Sequence, residues 1–149
     1  MKFIAAITAL VVAAVANAQT WTNCATGATD LTISSFSVSP YPLCISQNVC
    51  ASGTGLLNAP VTSGATLAIQ GKYLGRVVYT DNQDLCALTA SQGVPCPIAV
   101  TVTSITACVL VKSTAPANVP VSLTVLATNG DGNVLFCQAA VVTASTCST

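Results

Sequence analysis

The sequence predicts an all-β, antiparallel β-sandwich, and three observations carry that prediction. Short runs in which apolar and polar residues alternate with a period of two recur along the chain, clusters of turn-forming residues separate them, and no stretch has the period of a convincing amphipathic helix. Their spacing implies about seven strands in two facing sheets, with an interior roughly 10 Å thick that becomes an apolar pocket wherever the sheets splay.

Residues 1–18 read as a secretory signal peptide that precedes the fold. Lys2 is the positive start, Phe3 to Val15 form an apolar run, and Ala16-Asn17-Ala18 is a small-x-small cleavage site. The run is shorter than the roughly 20 apolar residues of a spanning helix. Cleavage after Ala18 leaves one domain, residues 19–149, in a secreted setting or a vacuole-like lumen.

The first strand changes phase: Leu31 and Ile33 share one parity and Phe36 and Val38 the other, which places a bulge near Ser34-Ser35. From Gly64 to Tyr79, the residues Leu67, Ile69, Tyr73, Val77 and Tyr79 fall on one parity, opposite Thr66, Gln70, Lys72 and Arg76. That pattern marks β structure with one buried and one wet face. Tyr79 to Asp84 reads as a polar loop, in which Asp81 and Asp84 are solvated carboxylates. Ile98, Val100 and Val102 predict a strand that changes phase before Ile105, Val109 and Val111. Val121, Leu123, Val125 and Ala127 alternate with Ser122, Thr124 and Thr128, and Asn129-Gly130-Asp131-Gly132-Asn133 then turns the chain into Val134 to Thr143 as a hairpin.

Charge is scarce beyond the signal. Lys72, Arg76 and Lys112 oppose Asp30, Asp81, Asp84 and Asp131, a net charge of −1. Three cations scattered along the sequence supply neither the phosphate-neutralising cluster of a nucleic-acid binder nor electrostatic attachment to an anionic membrane. With no histidine and no glutamate, Ser-His-Asp and Cys-His chemistry is excluded, and the reading is not an enzyme. No cofactor motif is present, and without histidine or a CxxC pair no metal site is expected. The eight cysteines, Cys24, Cys44, Cys50, Cys86, Cys96, Cys108, Cys137 and Cys147, therefore read as four disulfides. Eight cysteines allow 105 pairings.

Around those cysteines stand Val38-Ser39-Pro40-Tyr41-Pro42, Asp84-Leu85-Cys86, Cys96-Pro97-Ile98, Asn118-Val119-Pro120, Asn129-Gly130-Asp131-Gly132 and Leu135-Phe136-Cys137. In this order they resemble the ML (MD-2-related lipid-recognition) family, in particular its Niemann-Pick C2-like and fungal phosphatidylglycerol/phosphatidylinositol transfer branch. The resemblance runs from about Cys24 to Val142. It implies an immunoglobulin-like sandwich with a lipid cavity between its sheets. It also implies disulfides Cys24–Cys137, Cys86–Cys96 and Cys44–Cys50, which leaves Cys108 to pair with Cys147. Inward parity nominates Leu67, Ile69, Tyr73, Val100, Val102, Leu123 and Val125 as cavity wall, although core packing accounts for each equally well. Lys72 and Arg76 solubilise an outer face, with a lipid phosphate at the cavity mouth as the alternative partner. The expected function is binding or transfer of a phospholipid, fatty acid or sterol by a monomer that makes transient membrane contact. The competing reading is a secreted interaction or surface protein with the same fold and a closed core.

Overall fold

The computed structural model describes residues 19–148, so the expected signal peptide lies outside the described residues. In chain order the elements are β1 (Thr22–Asn23), β2 (Leu31–Ser39), β3 (Leu43–Cys44), β4 (Asn48–Leu57), β5 (Thr66–Tyr73), β6 (Arg76–Asp84), α1 (Leu85–Ser91), β7 (Ser104–Leu110), β8 (Pro120–Thr128) and β9 (Val134–Ser145). Hydrogen bonding orders them into a larger sheet, β1-β9-β8-β5-β6 with β3 beside β9, and a smaller sheet, β2-β4-β7. The seven long strands pair antiparallel, and only the two-residue β3 runs parallel to its neighbour. Their inward faces supply the interior of an immunoglobulin-like sandwich.

Phase changes in the sequence become bulges. The register of β2 on β4 slips between Ile33 and Ser35, so Ser34 is the extra residue and Phe36 turns inward to meet Trp21 at 4.8 Å between ring centroids. A second slip on β6 opposes Gly71 to Tyr79 but Lys72 to Val77, leaving Val78 unpaired. This corrects the single parity expected from Gly64 to Tyr79. Past the bulge the faces exchange, and Val77 stands 51% exposed.

Two further expectations are overturned. Tyr79 to Asp84 is a strand and not a loop: β6 is the edge of its sheet, and Asp81, only 3% exposed, points inward. Asp84 ends that strand as the N-cap of the unexpected α1, where its side chain accepts a hydrogen bond from the Ala87 N–H at 3.1 Å. Ile98, Val100 and Val102 do not form a strand. They lie in the loop before β7, with only Ile98 held by a bridge to Val61, and Val100 is 46% exposed. Beyond that bridge no neighbouring strand pairs with this stretch among the described residues, so its local alternation is not realised as a strand.

Four disulfides cross-link the fold: Cys24–Cys137, Cys44–Cys147, Cys50–Cys108 and Cys86–Cys96. The expected Cys44–Cys50 and Cys108–Cys147 bridges are corrected. Cys50 and Cys108 are direct cross-strand partners on β4 and β7, 4.0 Å apart at Cα. Cys44 on β3 sits beside Ser145 at the end of β9, two residues from Cys147.

The interior divides into two clusters. One gathers Leu31, Leu57, Val61, Leu85, Ile98 and Leu135 at the end of the sandwich where the β8–β9 hairpin turns. The other joins Leu43, Val49, Val111, Val142 and Ala144 toward the opposite end. At the hairpin, buried Asn129 accepts from the Thr62 N–H at 2.9 Å and donates to Asp30 Oδ2 at 3.0 Å and to the Pro60 carbonyl at 2.9 Å. Gly130 follows because a Cβ there would stand 2.1 Å from the Ser63 carbonyl oxygen.

Candidate functional site

Between the sheets, every residue of the second cluster faces a common cavity of ≈ 80 Å³. The larger sheet contributes Leu67 and Ile69 from β5, Tyr79 from β6, and Leu123 and Val125 from β8. The smaller sheet contributes Val49 and Ala51 from β4 and Val109 from β7. Trp21 reaches in beside β1, and Ala115 and Pro116 line the cavity from the loop after β7. A second cavity of ≈ 40 Å³ continues under Phe36 and Phe136 and shares Ala51, Leu67 and Val125 with the first. Almost all of the lining is hydrocarbon, so the space suits an apolar chain.

Four of the residues nominated from the sequence, Leu67, Ile69, Leu123 and Val125, meet in this cavity. Tyr73, Val100 and Val102 do not line it. Tyr73 is past the β6 bulge on the hairpin arm, Val100 is exposed in the loop, and Val102 packs against the first cluster. Sequence parity missed the smaller sheet's contribution. Val49 and Ala51 lie in a segment rich in Ser, Cys and Gly whose alternation is weak, although Val38, Val109 and Val111 belonged to alternating runs. Nothing in the local sequence marks Trp21, which comes into the cavity because β1 pairs with β9.

A polar bridge spans the open side where the edge strands β6 and β7 face each other. Lys112, two residues beyond β7, places its Nζ 2.7 Å from Asp81 Oδ1 on β6. It also donates to the Thr80 carbonyl at 3.0 Å, and its backbone N–H donates to the Tyr79 hydroxyl at 3.3 Å. The Gln83 amide completes the arrangement by donating to both Asp81 oxygens at 3.0 Å. The hydrogen bond to Asp81 raises the Lys112 pKa above its ordinary 10.5, against a smaller opposing effect of desolvation.

No disulfide ties one sheet face to the other. Cys24–Cys137 and Cys44–Cys147 both lie in the larger sheet and its flanks, and Cys50–Cys108 lies within the smaller one. Cys86–Cys96 closes α1 onto the adjoining loop. Immunoglobulin domains place a cystine across their sheets; here the cavity walls are held by packing and the Lys112 bridge. Among the described residues, no group of three or more Cys or Asp side chains is arranged to hold a metal ion.

The solved structures that share this architecture are distant in sequence. A Niemann-Pick type C2 protein from the Japanese carpenter ant superposes with a TM-score of 0.64 at 14% identity, covering 85% of this chain and 99% of that one. Chicken MD-1, complexed with lipid IVa, gives 0.51 at 13% identity, covering 83% and 86%. The C-terminal domain of wzt gives 0.53 at 14% identity over 87% and 80%, so likeness of fold by itself does not separate functions. No curated protein sequence matches the chain. The ML domain family matches residues 18–144, from the residue before Gln19 to the end of the second core cluster at Ala144, and the chain belongs to that family.

Proposed function

We propose that this protein is a secreted carrier that holds the apolar part of a phospholipid, fatty acid or sterol between its sheets and releases it reversibly to membranes. One observation carries the reading: a hydrocarbon-lined cavity between two sheets that no disulfide locks together. Membership of the ML family and the lipid IVa complex of chicken MD-1 support it. Each buried methylene contributes about 0.8 kcal/mol, so an acyl chain binds usefully without a charged anchor.

Volume sets the mechanism. An apolar cavity of about 150 Å³ accepts benzene, so ≈ 80 Å³ is too small for a whole acyl chain with the walls as they stand. Entry therefore requires the sheets to part, and on the β6/β7 side the Lys112 contacts are among the links that must open. The same volume favours the second reading, a closed-core interaction protein, and uptake separates the two. Titrating purified protein into a fluorescent fatty acid and a fluorescent sterol at micromolar concentration should give saturable binding of one ligand per chain for at least one of them. Absence of saturable uptake for both would leave the closed core as the better account.

A further inference from the structure

Folding sorts charges that look scattered in the sequence. In the larger sheet, β5 runs from Thr66, opposite Asp84, to Tyr73, opposite Arg76, so Asp84 and Arg76 mark opposite ends of the sandwich. Asp30 joins the Asp84 end through its N–H bond to the Val134 carbonyl at 2.9 Å, and Asp131 lies in the β8–β9 turn at that same end. Lys72 and Arg76 stand at the other end, and neither forms an ion pair among the described residues. The remaining cation, Lys112, and the remaining carboxylate, Asp81, neutralise each other. The part of the chain beyond Ala18, with a net charge of −1, therefore presents one end carrying two free cations and another carrying three carboxylates.

Three of the six large apolar side chains left in water among the described residues, Leu74, Val77 and Val141, stand at the cationic end. Leu74, at the β5–β6 turn, is 84% exposed and adopts φ +49. That left-handed backbone favours Asn or Gly, and a bulky residue there is strained. Leu74 thus bears a conformational cost with no burial to offset it inside the fold. Beside it a cross-strand row runs Val77, Lys72, Ser122, Val141, in which Val77 and Val141 are 51% and 62% exposed. Val121, adjacent to Ser122, turns the other way and lines the cavity, as does Tyr79 two residues beyond Val77.

We infer that the β5–β6 hairpin is a docking element for an anionic lipid bilayer: Leu74 enters the interface, Lys72 and Arg76 pair with lipid phosphates or carboxylates, and the cavity is brought against the membrane. The inference rests on the carrier reading and names the surface from which that carrier loads. It replaces the expectation that three separated cations cannot support electrostatic attachment, because two of them share one hairpin and the opposing carboxylates lie at the far end. An apolar side chain flanked by cations fits a bilayer interface, which offers hydrocarbon beneath a negative surface.

The test is co-sedimentation of the full mature chain with phosphatidylcholine vesicles, with and without phosphatidylserine, at low and high salt. Binding should require phosphatidylserine and weaken with salt. Lys72→Gln and Arg76→Gln should each weaken it about fivefold, and together about thirtyfold. Leu74→Asn should lower it by about tenfold or more while leaving the thermal midpoint unchanged or raised, since Asn suits the turn; a merely structural role for Leu74 would not separate these readouts. Uptake of a dispersed fluorescent fatty acid without vesicles should be the same in all variants. Vesicle binding that is absent, indifferent to phosphatidylserine, or unchanged when Lys72→Gln, Leu74→Asn and Arg76→Gln are combined overturns docking, and so does self-association through the hairpin in its place. If vesicle binding fails while vesicle-free uptake persists, only the docking inference falls; loss of uptake in the wild type would instead remove the carrier reading.

Discussion

Replacing Ala51 by leucine fills the proposed binding space from its middle. Ala51 lies on β4, the central strand of the smaller sheet, and its side chain borders both cavities. Leucine adds three carbons at the point where a threading chain would pass. Displacing three ligand methylenes forfeits about 2.4 kcal/mol, at about 0.8 each, which weakens binding roughly fiftyfold. Ala51→Val, with two added carbons, should weaken it by roughly fifteenfold on the same scale. Overpacking opposes the filling and costs about 1 to 3 kcal/mol where the walls cannot yield, so thermal unfolding must accompany each titration. The expected result is a graded loss of fluorescent fatty-acid binding, Val before Leu, in proteins that unfold cooperatively. If folded Ala51→Leu binds like the wild type, the ligand does not occupy this space and the cavity argument is wrong.

Non-reducing peptide mapping should recover the four observed cystines, and a Cys44–Cys50 peptide would contradict the β4–β7 register. Serine at both Cys44 and Cys147, whose bridge spans 103 residues, should destabilise the fold by up to about 4.7 kcal/mol in the chain-entropy model; hydrogen exchange should then show the end of β9 loosening before the rest. Asn129→Ala strips partners from Thr62, Asp30 and Pro60 and should cost about 2 to 3 kcal/mol, read as a lower midpoint in denaturant. The Lys112 ammonium has a raised pKa in the fold, so its contribution is complete below 10.5 and fades as pH rises through the folded value. The difference in thermal midpoint between wild type and Lys112→Met should accordingly hold steady through neutral pH and shrink only in strong alkali.

Much of the architecture was legible because burial writes a period of two into strands that have one wet face. Leu67 and Ile69, and Leu123 and Val125, were found that way, and the slip at Ser34 appeared as a change of parity. The same logic failed where pairing, and not patterning, decides orientation. Val77 faces solvent because a bulge at Val78 reverses the face, and Val100 alternates with its neighbours in a loop that has no partner strand. Asp81 looked like a loop carboxylate because β6 is a polar edge strand, and its cation lies 31 residues away at Lys112. The helix α1 was hidden by its seven-residue length, although Asp84 followed three residues later by Ala87 is the spacing of an N-cap. Cystine pairing failed for a related reason: Cys50 and Cys108 meet only once β4 and β7 are in register, which no local feature encodes. The cavity wall from β4 and the segregation of charge are likewise products of the assembled sheets.

The carrier reading is tested most directly by native mass spectrometry of the protein secreted from a eukaryotic host and purified without detergent, followed by lipid extraction. The account predicts a population heavier than the four-disulfide chain by the mass of one lipid, with that lipid recovered in the organic phase in near-stoichiometric amount. A protein that carries no lipid, and that acquires none when incubated with phospholipid, fatty acid or sterol, would contradict it.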